Sequence, residues 1–183
     1  MRFFFDIILS SLALVILSPI MLVVALIILV ETGRPIIHHS ERLGQGGNPF
    51  KFWKFRTMYQ NCPPVDYYKP DNDPRVTPIG KYLRKFSLDE LPQLWNLVKG
   101  DMAIYGPRPW LVTERHLLGE YANDILSRRP GIINYYVAFG RSNLTIEQRL
   151  ALDAKFARRM NFRQMVYATL RFFVRLIDRK GAK

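Results

Sequence analysis

Two carboxylates stand side by side at Asp89 and Glu90, inside the stretch SLDELPQLWNLVKGD that runs from Ser87 to Asp101. Cations are spread around the pair. Arg84 and Lys85 come just before it, and Arg108 and Arg141 each lie beside a turn that can aim a side chain inward. Adjacent carboxylates suit Mg²⁺, which takes one or two carboxylates and leaves its other positions to water and substrate phosphates. A carboxylate can also be a nucleophile, as in aspartyl-phosphate chemistry. Arginine forks and lysine suit phosphate oxygens. Together these residue types describe phosphoryl-type transfer on a diphosphate substrate. The plain alternative is a helix start, with Asp89 as N-cap and Glu90 as a first-turn acid.

Other chemistries lack their residues. There is no Gly-x-x-x-x-Gly-Lys-Ser/Thr loop for an NTPase and no Gly-x-Ser-x-Gly for a hydrolase. Cys62 is the single cysteine, which excludes an intramolecular disulfide and a multi-cysteine zinc site. His38, His39 and His116 have no metal-ligand spacing. The net charge of +12 calls for an anionic partner: nucleic acid, anionic lipid or a phosphorylated substrate. No nucleic-acid-binding motif is present, and a long apolar run does not serve such a role.

That run, Ile7 to Val30, has 24 residues without a charge. A straight helix of this length spans roughly 36 Å, enough to cross a bilayer. Ser18-Pro19 divides it into two arms of 11 residues, each about 16 Å long against a hydrocarbon core of ~30 Å. The run can therefore kink and span, or bend and return to the same face. Arg2 flanks one end; Arg34, Arg42, Lys51, Lys54 and Arg56 follow the other. Basic ends stay cytoplasmic, so the charges favour return. Serine beside the proline can satisfy the carbonyl that proline leaves free. Residues 1–32 then form a re-entrant helix-break-helix, and residues 33–183 a cytoplasmic domain.

Within that domain, Ile36-Ile37 reads as a short strand. Phe50–Met58 reads as another, with Phe50, Phe52 and Lys54 on one face. Residues 59–80 read as a loop, followed by a short basic segment from Ile79 to Phe86. In the acidic stretch, Leu91, Leu94, Trp95 and Val98 fall on one helical face, and Lys99-Gly100 is a stop. Asp89 is preferred over Ser87 as the cap, because Pro92 then falls in the first turn. Trp110–Leu126 reads as helical and Ile132–Phe139 as strand. Thr145 caps a helix from Ile146 to Arg159, and a last helix runs from Phe162 to Ile177. From Lys155 onward there are nine cations and one acid. With its apolar stripe, the last helix reads as lying on a membrane surface, against the alternative of packing on the core.

In chain order the sequence carries Ser18-Pro19, Thr32-Gly33-Arg34-Pro35, Lys54-Phe55-Arg56-Thr57-Met58, Asp73-Pro74-Arg75-Val76-Thr77-Pro78, Ser87-Leu88-Asp89-Glu90-Leu91-Pro92-Gln93-Leu94, Gly106-Pro107-Arg108-Pro109, Arg129-Pro130-Gly131-Ile132 and Gly140-Arg141. In these pieces and their order it resembles the small monotopic phosphoglycosyl transferases, the bacterial sugar transferase family. The resemblance implies a mixed α/β, mostly helical fold. This is a monotopic domain on a re-entrant helix with interfacial amphipathic helices, at the cytoplasmic face of the bacterial inner membrane. It implies transfer of a phosphosugar from a UDP-sugar to a polyprenol phosphate such as undecaprenyl phosphate, with Mg²⁺ and release of UMP, and anionic membrane lipids around the protein. Asp89 matches the nucleophile and Glu90 the acid beside the metal. Arg84, Arg108 and Arg141 match positions near the phosphates or nucleotide, and Lys54, Arg56 and Asp153 complete the binding set. The chain departs from the family pattern at Ile133, Asn134 and Val137, which bears on sugar or nucleotide preference. A different class, a non-catalytic relative that binds nucleotide-sugar or lipid phosphate, is the alternative.

Overall fold

The computed structural model of the chain describes residues 2–62, 73–134 and 144–178. Helix α1 (Arg2–Thr32) is one continuous element of 31 residues that passes through Pro19, so the helix-break-helix expected over residues 1–32 is not seen as two helices. Pro19 has no N–H to offer the Val15 carbonyl. The Ser18 hydroxyl donates to that carbonyl at 2.7 Å, the repair expected of the Ser-Pro pair. From Ser11 to Val23 no side chain of α1 is buried. Both ends are held by the rest of the chain. Near the start, Asp6 and Ser10 are buried, and Asp6 pairs with Arg129 at 3.4 Å. Near the end, Val24 and Ile28 pack with Phe55 and Leu83. There Arg56 Nη2 donates to the carbonyls of Thr32 and Gly33 at 2.9 and 2.8 Å, and to the Thr32 hydroxyl. The last carbonyls of a helix have no intrahelical donor, so a guanidinium suits that end in both hydrogen bonding and charge.

Strands β1 (Ile37–Leu43) and β2 (Pro49–Phe55) form an antiparallel hairpin, with His38 opposite Lys54, Ser40 opposite Phe52 and Arg42 opposite Phe50. The strand expected at Ile36-Ile37 thus extends through polar residues to Leu43. Alternation places His38, Ser40, Arg42, Phe50, Phe52 and Lys54 on one face. Helix α2 (Pro78–Lys85) is capped by Thr77, whose hydroxyl accepts from Gly80 N at 2.9 Å.

The acidic stretch differs from the expected helix in two ways. It begins with a single 3₁₀ turn, Leu88–Glu90, and helix α3 (Gln93–Lys99) starts only after Pro92. Asp89 is therefore not its N-cap. Pro92 cannot donate to the Leu88 carbonyl, which takes the Leu91 N–H at 3.3 Å and tightens the turn. The buried face of α3 is Gln93, Asn96 and Leu97, while Trp95 is 50% exposed. The apolar spacing thus picks the side that α1 and solvent share, because a polar residue, Asn96, occupies the inward position. Gly100 ends α3 at φ 79°, as expected of the stop.

Strands β3 (Ala103–Tyr105) and β4 (Gly131–Ile133) pair in parallel. Between them the expected helix is a 3₁₀ segment, Val112–Tyr121, interrupted at Gly119, and a short helix α4 (Ala122–Leu126). Of the strand expected over Ile132–Phe139, the part from residue 135 lies outside the described residues. Helix α5 (Ile146–Arg159) has the expected Thr145 cap, with Gln148 reciprocating at 3.0 Å. The core behind the hairpin joins Leu43, Trp110, Leu118, Ile125, Leu150 and Ala154. Helix α6 (Phe162–Asp178) buries Ala168 and leaves Phe162, Val166, Leu170 and Val174 exposed. Its apolar stripe faces away from the protein, so packing of that stripe on the core is ruled out for these residues.

Gly80 presses its Cα against the Thr57 carbonyl, and a Cβ there would overlap that oxygen. Gly80→Ala should separate α2 from the Thr57 segment. It is expected to cost about 1–3 kcal/mol despite the better helix propensity of alanine. Thermal denaturation measures this, and an unchanged melting temperature would mean the two segments yield freely.

Candidate active site

Lys54 brings the acidic pair and the hairpin together. Its Nζ lies 2.6 Å from Glu90 Oε1 and 3.8 Å from Asp89 Oδ2. Two local features make this contact. Ser87 adopts a left-handed conformation at φ 56°, which turns the chain after α2 and presents the 3₁₀ turn toward β2. Asn96, fully buried, accepts the Trp53 N–H at 3.2 Å and donates to the Lys51 carbonyl at 2.7 Å, so α3 is tied to the open edge of β2 on both sides of Phe52.

The two acids have unequal surroundings. Asp89 is buried, whereas the Glu90 side chain is 43% exposed. Burial pushes the Asp89 carboxyl above the usual range, ahead of the opposing pull of Lys54; Glu90 pushes it up further and Arg84 draws it down. Arg84 thus faces Asp89 from α2, and its Nε donates to Thr57 Oγ1 at 2.9 Å. Behind Arg84, Asp73 accepts a two-pronged contact from Arg75, with Oδ2 2.6 Å from Nη2, and those hydrogen bonds hold its carboxyl at about 2. A cavity of about 390 Å³ opens beside Asp73, between Tyr59, Lys81 and Tyr82.

On the other side of Lys54 lies Arg42. The Arg42 guanidinium and the Lys54 ammonium stand 5.2 and 5.5 Å from the centre of the same Phe52 ring. Arg42 Nη1 donates to the Pro109 carbonyl at 3.0 Å. Burial lowers the Arg42 guanidinium to about 10; nearby Arg108 lowers it too, while Glu114 and Glu90 oppose. Arg108 lies 5.5 Å from the Trp110 ring, and its backbone N–H donates to Asp153 Oδ2 at 3.1 Å.

Lys54, Asp89, Glu90 and Arg84 therefore form one cluster, with Arg42 and Arg108 alongside. Arg56 is placed elsewhere, on the end of α1. Asp153, fully buried in α5, holds the backbone of the Gly106–Pro109 turn rather than standing open to a ligand. Arg141 and Val137 lie outside the described residues. Ile133 ends β4, and Asn134 after it is buried. Arg42, Thr57 and Asn96 are positions the sequence reading did not single out. For Arg42 a signal existed: with β1 extended, Ser40 and Arg42 alternate onto the face of Phe52 and Lys54.

Among the described residues no three or more His, Cys, Asp or Glu side chains gather in a metal-binding group. Among the described residues, the carboxylates that a divalent ion at the pair would draw are Asp89 and Glu90. That set fits Mg²⁺ completed by phosphate and water oxygens, and the Lys54 ammonium against both carboxylates marks the spot as one that favours a cation.

The sequence is 37% identical to the exopolysaccharide production protein ExoY of Sinorhizobium fredii, over 83% of this chain and 74% of that protein. It is 35% identical to the undecaprenyl-phosphate galactose phosphotransferase of Salmonella typhimurium, over 82% of this chain and 35% of that protein. It is likewise 35% identical to the UDP-glucose:undecaprenyl-phosphate glucose-1-phosphate transferase of Escherichia coli, over 84% of this chain and 35% of that protein. The chain thus spans about three quarters of the first relative and about a third of the other two. A profile described as bacterial sugar transferase matches residues 1–178, nearly the whole chain, and with it the clustered acids and cations find their place: the chain belongs to the bacterial sugar transferase family.

Proposed function

We propose that the protein is a phosphoglycosyl transferase that moves a sugar 1-phosphate from a UDP-sugar to a polyprenol phosphate, undecaprenyl phosphate in a bacterium, at the cytoplasmic face of the inner membrane. The observation that carries this reading is the unequal acid pair against Lys54: one carboxylate buried and fixed, its neighbour open to solvent. The relatives whose names state this reaction support it.

Asp89 is the nucleophile. It has the shorter side chain, and burial raises its basicity. Its carboxylate oxygen attacks the sugar-linked phosphorus. The bond from that phosphorus to the bridging oxygen breaks, and the electron pair leaves with UMP. The chain then carries an aspartyl phosphosugar. An oxygen of the lipid phosphate attacks the same phosphorus, the acyl-phosphate P–O bond breaks, and the Asp89 carboxylate is restored. Glu90, with Asp89, would hold Mg²⁺, which when bound supplies charge neutralisation at the diphosphate. Arg84 and Arg108 bind phosphate oxygens as charge shifts onto them. Lys54 keeps the two acids from repelling each other before the donor arrives.

Intact-protein mass spectrometry after incubation with UDP-sugars and Mg²⁺, without lipid acceptor, tests the nucleophile. The wild type should gain one phosphosugar mass with UMP released; Asp89→Asn should gain none. An adduct on Asp89→Asn would place the nucleophile elsewhere.

The pH dependence has a defined sign. Asp89 must be ionised to attack, and Lys54 favours that form. Lys54→Met removes the cation, so the Asp89 pKa rises and the acid limb of UMP release should move to higher pH. A limb at the wild-type pH in this variant would separate Lys54 from the titration of Asp89.

Helix α1 supports a re-entrant, monotopic placement. Its two ends grip one domain through Asp6–Arg129 and Arg56–Thr32, while the Ser18-Pro19 midsection is bare. An end carried across the bilayer could not keep both contacts. Cysteines at positions 2 and 40, labelled in intact cells with an impermeant reagent, should both be protected. Replacement of Ser18 and Pro19 by leucine should expose the first. Opposite-side labelling of the unmodified segment would overturn this placement.

A further inference from the structure

A second cavity, about 620 Å³, lies between the start of α1, strand β3 and the start of α6. It contains none of Lys54, Arg84, Asp89, Glu90 or Arg108. Phe5, Ile104 and Met165 supply apolar wall, and methionine adapts its shape to what it meets. Each of the two helices that line it also carries exposed apolar side chains close in sequence to the lining residues. One carries Phe3, Phe4 and Phe5 of α1; the other carries Phe162 and Val166 of α6. Given the membrane placement of α1 proposed above and the outward apolar stripe of α6, its mouth meets lipid.

Charge narrows the occupant. Asp6 on the wall is balanced by Arg129 at 3.4 Å, whose guanidinium also lies 4.7 Å from the Phe3 ring centre. Arg128 beside it is exposed, with its Nε anchored on the Ala157 carbonyl at 3.2 Å. The wall therefore carries an apolar trough and one positive charge in excess. We propose that this groove is a binding site for one anionic phospholipid, its acyl chain against Phe5, Ile104 and Met165 and its phosphodiester on Arg128. The volume falls within the usual range for a small-ligand site. The occupant is a phospholipid rather than the polyprenol acceptor, whose phosphate has to reach Asp89.

The test uses the full chain, stripped of lipid in a neutral detergent and offered phosphatidylglycerol or phosphatidylcholine. Native mass spectrometry counts retained lipid, and thermal denaturation reads the accompanying stabilisation. The wild type should retain one phosphatidylglycerol and prefer it to phosphatidylcholine. Arg128→Gln and the groove-filling Met165→Trp should each lower retention by about tenfold, while both remain folded by their melts. Arg163→Gln, a cation on α6 outside the groove, should retain the lipid, and so should Asp89→Asn, which separates this site from the reaction. No preference for phosphatidylglycerol, or equal loss with Arg163→Gln, would reduce the binding to diffuse attraction and overturn the site. Displacement of the phosphatidylglycerol by undecaprenyl phosphate, one for one, would also overturn it and give the groove to the acceptor.

Discussion

The side-chain amide of Asn96 is sealed between helix α3 and the open edge of β2, with Oδ1 on the Trp53 N–H and Nδ2 on the Lys51 carbonyl. A two-stranded hairpin has an edge whose backbone groups need partners. Here an amide that carries both a donor and an acceptor completes that edge as a third strand would. The same Nδ2 lies 3.2 Å from Asp101 Oδ2, which fixes the far end of the helix as well. Because β2 carries Lys54 and the turn before α3 carries Asp89 and Glu90, this one contact sets the distance between cation and acids. Burial of such a group without its partners costs roughly 1–3 kcal/mol, so the arrangement is all or nothing: the amide is satisfied only when the hairpin and the acidic turn are in register.

The electrostatics of the cluster follow from that register. Asp89 is pushed toward neutrality by burial and held back by two cations from opposite sides, Lys54 on β2 and Arg84 on α2. Arg42 sits under the mirror-image tension, depressed by burial and by Arg108 and relieved by Glu114 and Glu90. Burial disfavours each charge, and the opposite sign nearby offsets part of that cost. On the proposed reaction, a diphosphate would enter a field in which the positive groups are already gathered, so little reorganisation would remain to be done.

Much of this was legible in the residues. The Ser18-Pro19 repair, the Thr145 cap, the Gly100 stop and the apolar stripe of α6 are local or periodic features, and such features survive into the fold. The acids and the cations of the cluster were also visible as types. What sequence spacing missed was decided by tertiary contacts. Asn96 breaks the apolar pattern of α3 yet is its most buried residue, because its partners lie more than forty positions earlier. Strand β1 is polar in sequence and is a strand because β2 pairs with it. The resemblance puts Asp153 in the binding set, and α5 places its carboxylate on the backbone of the turn that carries Arg108. Pro92 fits the first turn of a helix by position, whereas the carbonyl it leaves free closes a 3₁₀ turn before it.

The two anchors of α1 are separated along the chain in a way that matters during synthesis. Arg56, which closes the Thr32 end, leaves the ribosome soon after the helix itself. Arg129, which holds Asp6, follows 73 residues later, a delay of roughly 4–15 s at about 5–20 residues per second. Throughout that interval the apolar segment is secured at its trailing end and untied at its leading end. The grip of the domain on α1 is therefore sequential: the Thr32 end can close early, and the Asp6 end only when the turn before β4 has been made.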